Sequence, residues 1–439
     1  MSLQYRLAQS QPIACTGLAV SAEPFFDFSS EEYCSLHSRS EATAFQAPGW
    51  LYKLHRRVAP TLEAEPITIT VRDTETGELK LVIPLVSRRL GRLTTLEFCD
   101  FGLCDYNALV YRSDDVKLLI ADRSLRARVH ALLPPTDTIS LIKLRGDEQL
   151  LEFLFPRAHR APMRVSSHAI AFDVNWDDWH LTRLDPSLRR ELELKRRRLA
   201  KAGVPTFRLV QEPDEIISAF SALRIFRAHR FAQRGIADVI NNEAVFSFYR
   251  RVALDGACDG TARTFCLYVA GEPVAVMFGT VHRRRFSLLL VGFDLERYRR
   301  LSVGLLAIED TIRASFESGD EIYDFTIGDY PFKLQFGARS SQLFEWHVPR
   351  GARGYLAVLQ VAAFREVKRH MKPLVTSAQR FWTVALRHWL RSKLNLKASA
   401  PIVTANRVPE WQNGLEIAGH TIAILALGKD ADSSHTGSR

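Results

Sequence analysis

The stretch from Thr264 to His347 constrains the fold most, because it reads as strands, then one helix with both ends marked, then strand again. Thr264 to Val269 and Val274 to Val281 are β-branched or aromatic runs joined by Gly271-Glu272-Pro273, the composition of a hairpin turn. Phe286 to Phe293 is a third apolar run, short and rich in Leu and Val, as a strand buried on both faces must be. The helix that follows is predicted to start at Ser302 as its cap. Leu305, Ile308, Ile312 and Phe316 recur on one face, and Gly319 stands where a left-handed C-terminal residue is wanted. Glu321 to Ile327 is strand again. A helix start directly after a central strand offers free backbone N–H groups to a phosphate. Arg299, Arg300 and Gly304 add charge and close approach, and the next strand ends in Gly328-Asp329-Tyr330-Pro331-Phe332-Lys333.

The chain before this stretch follows a related order. Residues 1–20 read as a loose arm, and Ser29-Ser30-Glu31-Glu32 opens a helix reaching Glu41, followed by a second from Pro48 to about Arg57. Ile67–Arg72 and Leu79–Val86 flank Asp73-Thr74-Glu75-Thr76-Gly77 as a hairpin, and Leu93–Phe98 and Ala108–Tyr111 add strands. Ser113 to Leu133 reads as one helix capped by Ser113, then come strand Thr138–Leu144 and a short helix Glu148–Phe155. Two halves therefore emerge, 21–185 and 204–350, each a hairpin followed by a strand-helix-strand unit. The first lacks a counterpart of the Ser302–Gly304 turn and is expected to shape an acceptor groove, leaving the cofactor to the second.

Pro186 to Gly203 (PSLRRELELKRRRLAKAG) joins the halves as a basic helix. Its plain reading is a solvated linker, its sharper one a cradle for an anionic acceptor or for cofactor phosphates. Asp214 to Arg234 is a further helix, opened by Pro213 and stopped at Gly235. Residues 351–439 form an extension: a basic helical tract over Gly354–Lys397 in which Glu366 is the sole acid, a strand at Thr421–Leu427, and a disordered end from Lys429. The tract either lies on an anionic membrane surface or packs on its own domain.

A formal charge of +10 over 439 residues favours anionic partners: a nucleotide cofactor, a membrane surface or nucleic acid. Nucleic acid fits least, since the basic run has no interleaved aromatics. No signal-peptide core or membrane-spanning run is present, so the expected place is the cytoplasm, with peripheral contact at an inner membrane left open. Cys15, Cys34, Cys99, Cys104, Cys258 and Cys266 are scattered and read as reduced, with no metal expected. Phosphate loops of the P-loop type, HExxH and Gly-x-Ser-x-Gly are absent, which argues against nucleotide hydrolases, metalloproteases and serine hydrolases.

The order strand, Arg300-Leu301-Ser302-Val303-Gly304-Leu305-Leu306, then Tyr323-Asp324-Phe325-Thr326-Ile327-Gly328-Asp329-Tyr330 resembles the GNAT-type acyltransferases of the CelD/BcsL kind, linked with cellulose and exopolysaccharide biosynthesis. Ala44-Phe45-Gln46-Ala47-Pro48-Gly49-Trp50-Leu51, Cys104-Asp105-Tyr106-Asn107 and the basic helix Leu188–Gly203 resemble further segments of the same family, over roughly residues 20 to 375. The resemblance implies a mixed α/β chain with a tandem GNAT-like acyl-CoA N-acyltransferase fold: two mixed sheets flanked by helices, plus C-terminal basic helices. It implies acetyl-CoA or another acyl-CoA as donor, direct transfer, and an amine or hydroxyl acceptor on an envelope or exopolysaccharide precursor. The pyrophosphate turn departs from the usual pattern, with Leu301 in place of Arg or Gln and Leu306 in place of a small residue, and Arg300 one place early. Two alternatives stand beside this reading: a Fem-type transferase taking aminoacyl-tRNA, and a degraded GNAT fold serving as scaffold of a polysaccharide synthase.

Acyl transfer from a thioester needs a polarised carbonyl, a base for the acceptor and a proton for the thiolate. By resemblance the first task falls to backbone N–H groups of Leu288–Gly292, with Leu290, Val291 and Gly292 against the cofactor and Arg299, Arg300, Ser302, Val303, Gly304 and Leu305 on its phosphates. Asp324, Asp294 and Asp329 are candidate bases, Tyr330 the candidate acid, and Lys333 a holder of an acceptor anion; His229 and Arg230 would line the cleft. Each has a structural reading too: Asp324 paired with an Arg such as Arg299, Asp294 opening a turn, Tyr330 and Lys333 as loop residues, His229 and Arg230 at a helix end. His282 is expected at the surface. Loss of function without loss of folding on Gly304 substitution would favour the enzyme over the scaffold.

Overall fold

A computed structural model describes residues 17–359 apart from 147, 148, 234 and 236. The expected tract after residue 359, the C-terminal strand and tail, and the first sixteen residues of the arm lie outside that range; Leu18–Glu23 is strand. The strands are β1 (Leu18–Glu23), β2 (Glu65–Asp73), β3 (Leu79–Leu90), β4 (Leu93–Phe98), β5 (Val110–Tyr111), β6 (Thr138–Leu144), β7 (His159–Ala171), β8 (Pro205–Val210), β9 (Ala262–Val269), β10 (Glu272–His282), β11 (Arg285–Phe293), β12 (Ile322–Ile327) and β13 (Arg339–Pro349).

These join into one thirteen-stranded sheet in the order β1-β2-β3-β4-β6-β13-β7-β12-β11-β10-β9-β8, with β5 on β3. The two expected mixed sheets are thus continuous, and the order is the same read from either edge. Each half is an antiparallel run whose last member pairs in parallel with the next strand, β4 with β6 and β11 with β12. Each half is then closed by the other's last strand: β7 ends the first half and pairs with β12, while β13 ends the second and pairs with β6. β7 and β13 pair with each other at the centre.

Alternate residues of the central strands go to opposite cores. On β10, Val276 and Phe278 enter one cluster and Ala275 and Met277 another. On β3, Val82 and Val86 enter the first cluster while Leu81, Ile83 and Leu85 enter a third. The first cluster therefore runs under both halves, which fits the doubly buried, near-continuous apolar composition of these strands.

Several local readings shift. The β9–β10 hairpin turns on Ala270 and Gly271, both at positive φ, so Glu272 and Pro273 belong to the strand. The expected helix 113–133 is broken into a short turn and helices Val116–Ala121 and Leu125–Leu132, because Asp122 leaves the helical region and takes Arg128 and Ser124 as partners. His282 is partly buried, its ring 4.8 Å from that of His37 in the other half.

Gly279 sits at a bulge against β11, where an added Cβ would lie 2.3 Å from the Ser287 carbonyl oxygen and 2.5 Å from the Phe286 ring. Gly279→Ala is expected to cost about 1–3 kcal/mol, the usual penalty of overpacking, read as a lower urea midpoint. Burial holds His55 neutral down to about 4, and burial, with His37 and Arg283 adding, does the same for His282. Unfolded histidine takes its proton near 6.5, so between 6.5 and about 4 the unfolded chain binds more protons and stability falls as pH falls. Replacing both with Gln should flatten the urea midpoint across that window.

Candidate active site

β11 and β12 run side by side over only three residue pairs, Arg285 with Ile322, Phe286 with Tyr323 and Ser287 with Asp324. Beyond these the strands part. Separation strips the outgoing end of β12 of ladder partners on that side, and buried carbonyls need donors. Lys333 supplies them: its Nζ donates to the carbonyls of Phe325 (3.0 Å), Thr326 (3.1 Å) and Ile327 (3.0 Å). Thr326 at φ 59 and a register shift against β7 turn the three carbonyls toward it. Lys333 is 3% exposed, and burial pushes its ammonium down to about 8 against the pull of Asp105, Asp324 and Asp329.

At the point of separation lies Asp324, with no exposed surface. It accepts from the Tyr106 hydroxyl (2.9 and 3.0 Å), from the Arg285 guanidinium (2.9 Å) and from the Thr326 N–H (2.7 Å). Tyr106 arrives from the loop after β4, so this contact joins the halves, and burial together with the Asp324 charge pushes its phenol well up. Asp105 beside it is partly buried; burial raises its carboxyl, with Lys143, Thr326 and Lys333 pulling the other way. Lys143 is itself held by Asp100 and by the Cys104 carbonyl at 2.6 Å. Like Thr326 on β12, Lys143 on β6 is at positive φ.

The residues expected at the site divide. Asp324 and Lys333 do converge on the separation, but Asp324 has its oxygens occupied and Lys333 has its three donors engaged by carbonyls. Neither is a free base or a free anion holder, and the partner of Asp324 is Arg285, not Arg299. Asp294 is a turn cap, accepting the N–H groups of Glu296 and Arg297 and pairing with the Arg297 side chain. Asp329 is half-exposed, takes the Ser166 N–H at 3.2 Å and lies 3.7 Å from His168 Nε2. Tyr330 is 7% exposed, with its ring under the Lys333 ammonium and beside Phe332.

On the donor side, the short helix Leu295–Tyr298 and a turn Arg299–Leu301 separate β11 from the helix Val303–Glu317, so that helix does not follow the strand directly. Ser302 precedes it at φ 51 and makes no side-chain cap; its carbonyl takes the Leu305 and Leu306 N–H groups. Leu305 is partly buried, while Val303 is buried. Gly304 answers to packing, since a Cβ there would lie 2.9 Å from the Phe293 ring. Gly292 likewise admits Leu223, which a Cβ would approach to 2.7 Å. Leu290 is in the shared core, and the Val291 carbonyl accepts from Arg227 at 3.4 Å. Arg299 and Arg300 are exposed, and the basic linker reaches them through Lys195, whose Nζ donates to the Arg300 carbonyl at 2.6 Å. His229 is half-exposed, 3.6 Å from Glu296, and Arg230 is buried over the Phe293 ring.

Tyr106, Asp105 and Arg285 carry no site role in the sequence reading. Their signal is tertiary: only the sheet order brings the loop after β4 onto β12. Among the described residues no group of His, Cys, Asp and Glu is placed to hold a metal, and no helix is long and apolar enough to cross a membrane.

Residues 186–334 match the family model described as an acetyltransferase (GNAT) domain. No curated protein matches the sequence. Among solved structures, FemX superposes with a TM-score of 0.54 at 12% identity, over 76% of this chain and 99% of FemX. L-PGS from Bacillus licheniformis gives 0.47 at 12% over 78% and 98%, and a tandem GNAT protein from the clavulanic acid biosynthesis pathway gives 0.42 at 12% over 75% and 98%. The chain thus carries a GNAT-type acetyltransferase domain within a tandem GNAT fold, of mixed α/β class with a large mixed sheet.

A buried carbonyl left without a donor costs about 1–3 kcal/mol, so Lys333→Met is expected to lose at least about 3 kcal/mol of stability. Tyr106→Phe, which takes one hydrogen bond from a buried carboxylate, should lose about 1.5–3 kcal/mol. Chemical denaturation of the two variants against the parent protein checks both.

Proposed function

We propose that the protein is an acyltransferase that binds its acyl donor where β11 and β12 part. The observation that carries this reading is the separation itself, which lies within the residues that match the acetyltransferase domain and is flanked by the exposed Arg299–Arg300 turn and by Asp324 with its partners Tyr106 and Arg285. The donor is an acyl-CoA, its phosphates on Arg299, Arg300 and the N–H groups of Val303 and Gly304. The freed edge of Leu288–Gly292 polarises the acyl carbonyl, and no covalent enzyme intermediate is needed. Of the carboxylates at the mouth, Asp105 keeps solvent access and makes no ion pair among the described residues, so it is the group assigned to take the acceptor proton. Tyr330, on the loop that follows β12, remains the candidate to return a proton to the thiolate. The resemblance to the CelD/BcsL kind directs the acceptor toward a saccharide or amine of the cell envelope or of an exopolysaccharide, in a cytoplasmic or peripheral membrane setting.

A second reading keeps aminoacyl-tRNA as donor, because the missing Cβ of Gly304 faces the Phe293 ring and glycine there is accounted for without a pyrophosphate. For the same reason Gly304 substitution tests packing and not function. The exposed arginines make the better test. Acetyl-CoA titrated calorimetrically into the parent protein should bind in the micromolar range, on the order of 8 kcal/mol, and Arg299→Glu with Arg300→Glu should weaken it by at least about tenfold. Absence of binding to any acyl-CoA by the folded protein would overturn the donor assignment and leave aminoacyl-tRNA and the scaffold role.

A further inference from the structure

β11 carries one residue more than β10 can pair: Phe278 faces Leu290 and Gly279 faces Leu288, so Leu289 is extra. Along a ladder, successive residues aim their backbone groups at alternate neighbours, and an extra residue shifts that alternation by one. Leu288 and Val291, three apart, therefore both turn their carbonyls to the side that β12 has left. Each of these carbonyls is met by a side chain. The Thr326 hydroxyl donates to the Leu288 carbonyl at 3.3 Å, and Arg227 Nη1 donates to the Val291 carbonyl at 3.4 Å.

Arg227 is 6% exposed and lies on the helix Pro213–Ala232. That helix packs so closely on β11 that a Cβ on Gly292 would lie 2.7 Å from Leu223. Arg227 Nε and Nη2 hold the two oxygens of buried Asp238 at 2.8 and 2.7 Å. A two-point carboxylate pair fixes the plane of a guanidinium, so the remaining nitrogen, Nη1, is held on Val291. The Phe231 ring covers the group, with its centre 4.9 Å from the guanidinium carbon. A pair that only fastened the helix to residues 238–241 would not require this third contact on a strand.

We propose, on the basis of the donor assignment above, that Arg227 is a positioning residue for the acyl group. By holding the Val291 carbonyl it leaves the freed edge of β11 facing the donor with N–H groups, and so favours the thioester carbonyl. A thioester oxygen is an acceptor: beside N–H groups it is polarised, and beside a bare carbonyl it meets a second acceptor and is repelled. Coenzyme A without its acyl group lacks that oxygen. Arg227 thus acts on the difference between the acylated and the free cofactor, and not on cofactor binding as a whole.

Calorimetric titration of the full chain with acetyl-CoA and with coenzyme A tests this, in the parent protein, in Arg227→Met combined with Asp238→Asn, and in Arg227→Lys. The double change removes both charges, because a buried carboxylate left alone is destabilising by itself. Its asparagine can still accept the Ile240 N–H that Asp238 takes at 3.4 Å. Arg227→Lys keeps the charge beside Asp238 and gives up the fork that reaches Val291. The parent protein should prefer acetyl-CoA by about tenfold, the worth of one or two hydrogen bonds. Both variants should lose most of that preference while binding coenzyme A within about twofold of the parent protein, with thermal midpoints recorded to show that each is folded. An unchanged preference in either folded variant, equal weakening of the two ligands, or equal affinity of the parent protein for both would overturn the role of Arg227 and leave the donor assignment standing. Failure of the folded parent protein to bind either ligand would overturn the donor assignment and this role with it.

Discussion

The Lys333 ammonium under the end of β12 is the interaction on which the candidate site depends. Parallel strands of a buried sheet cannot part without stranding carbonyls, and a stranded buried carbonyl is costly. Three of them meet one ammonium here, which has three donors to give. Burying that charge is itself unfavourable, as its lowered pKa records, and Asp105, Asp324 and Asp329 offset part of the cost. The gap between β11 and β12 is thus a stable feature of the sheet.

The same region ties the halves together. Reciprocal closure by β7 and β13 makes the sheet continuous, and the loop after β4 then lands on β12. Asp324 is satisfied by a hydroxyl from the first half and a guanidinium and an amide from the second, which explains how a carboxylate can be wholly buried. Neither half can hold this geometry alone. The first half repeats the parallel three-pair contact between β4 and β6, and Lys143 repeats the positive φ of Thr326, yet its loop after β4 runs outward to its neighbour where the second half has a helix start.

Sequence alone carried the element types well wherever the signals were local. The hairpins, the Val303–Glu317 helix with Gly319 at its end, the basic helix Pro186–Ala200 and the strand before Gly328 follow from apolar period and turn residues. β7 escaped because its thirteen residues, HRAPMRVSSHAIA, are polar enough to read as loop; its strand state comes from being sandwiched between β12 and β13. Ser302 departs from the expected cap for a related reason, since a residue type suited to a cap also suits a left-handed entry into the helix. At the site, Asp324 and Lys333 were legible as polar residues near a strand end, but their roles were set by Tyr106, Arg285 and three carbonyls that no spacing reveals.

In the proposed function the acyl donor occupies the gap between β11 and β12. Amide hydrogen exchange of the intact protein, with and without acetyl-CoA, tests it most directly, because backbone groups freed by strand separation exchange until a ligand takes them up. Added protection concentrated in Leu288–Gly292 and in Val303 and Gly304 is the predicted result. Protection elsewhere with those segments unchanged, while the protein demonstrably binds the donor, would contradict it.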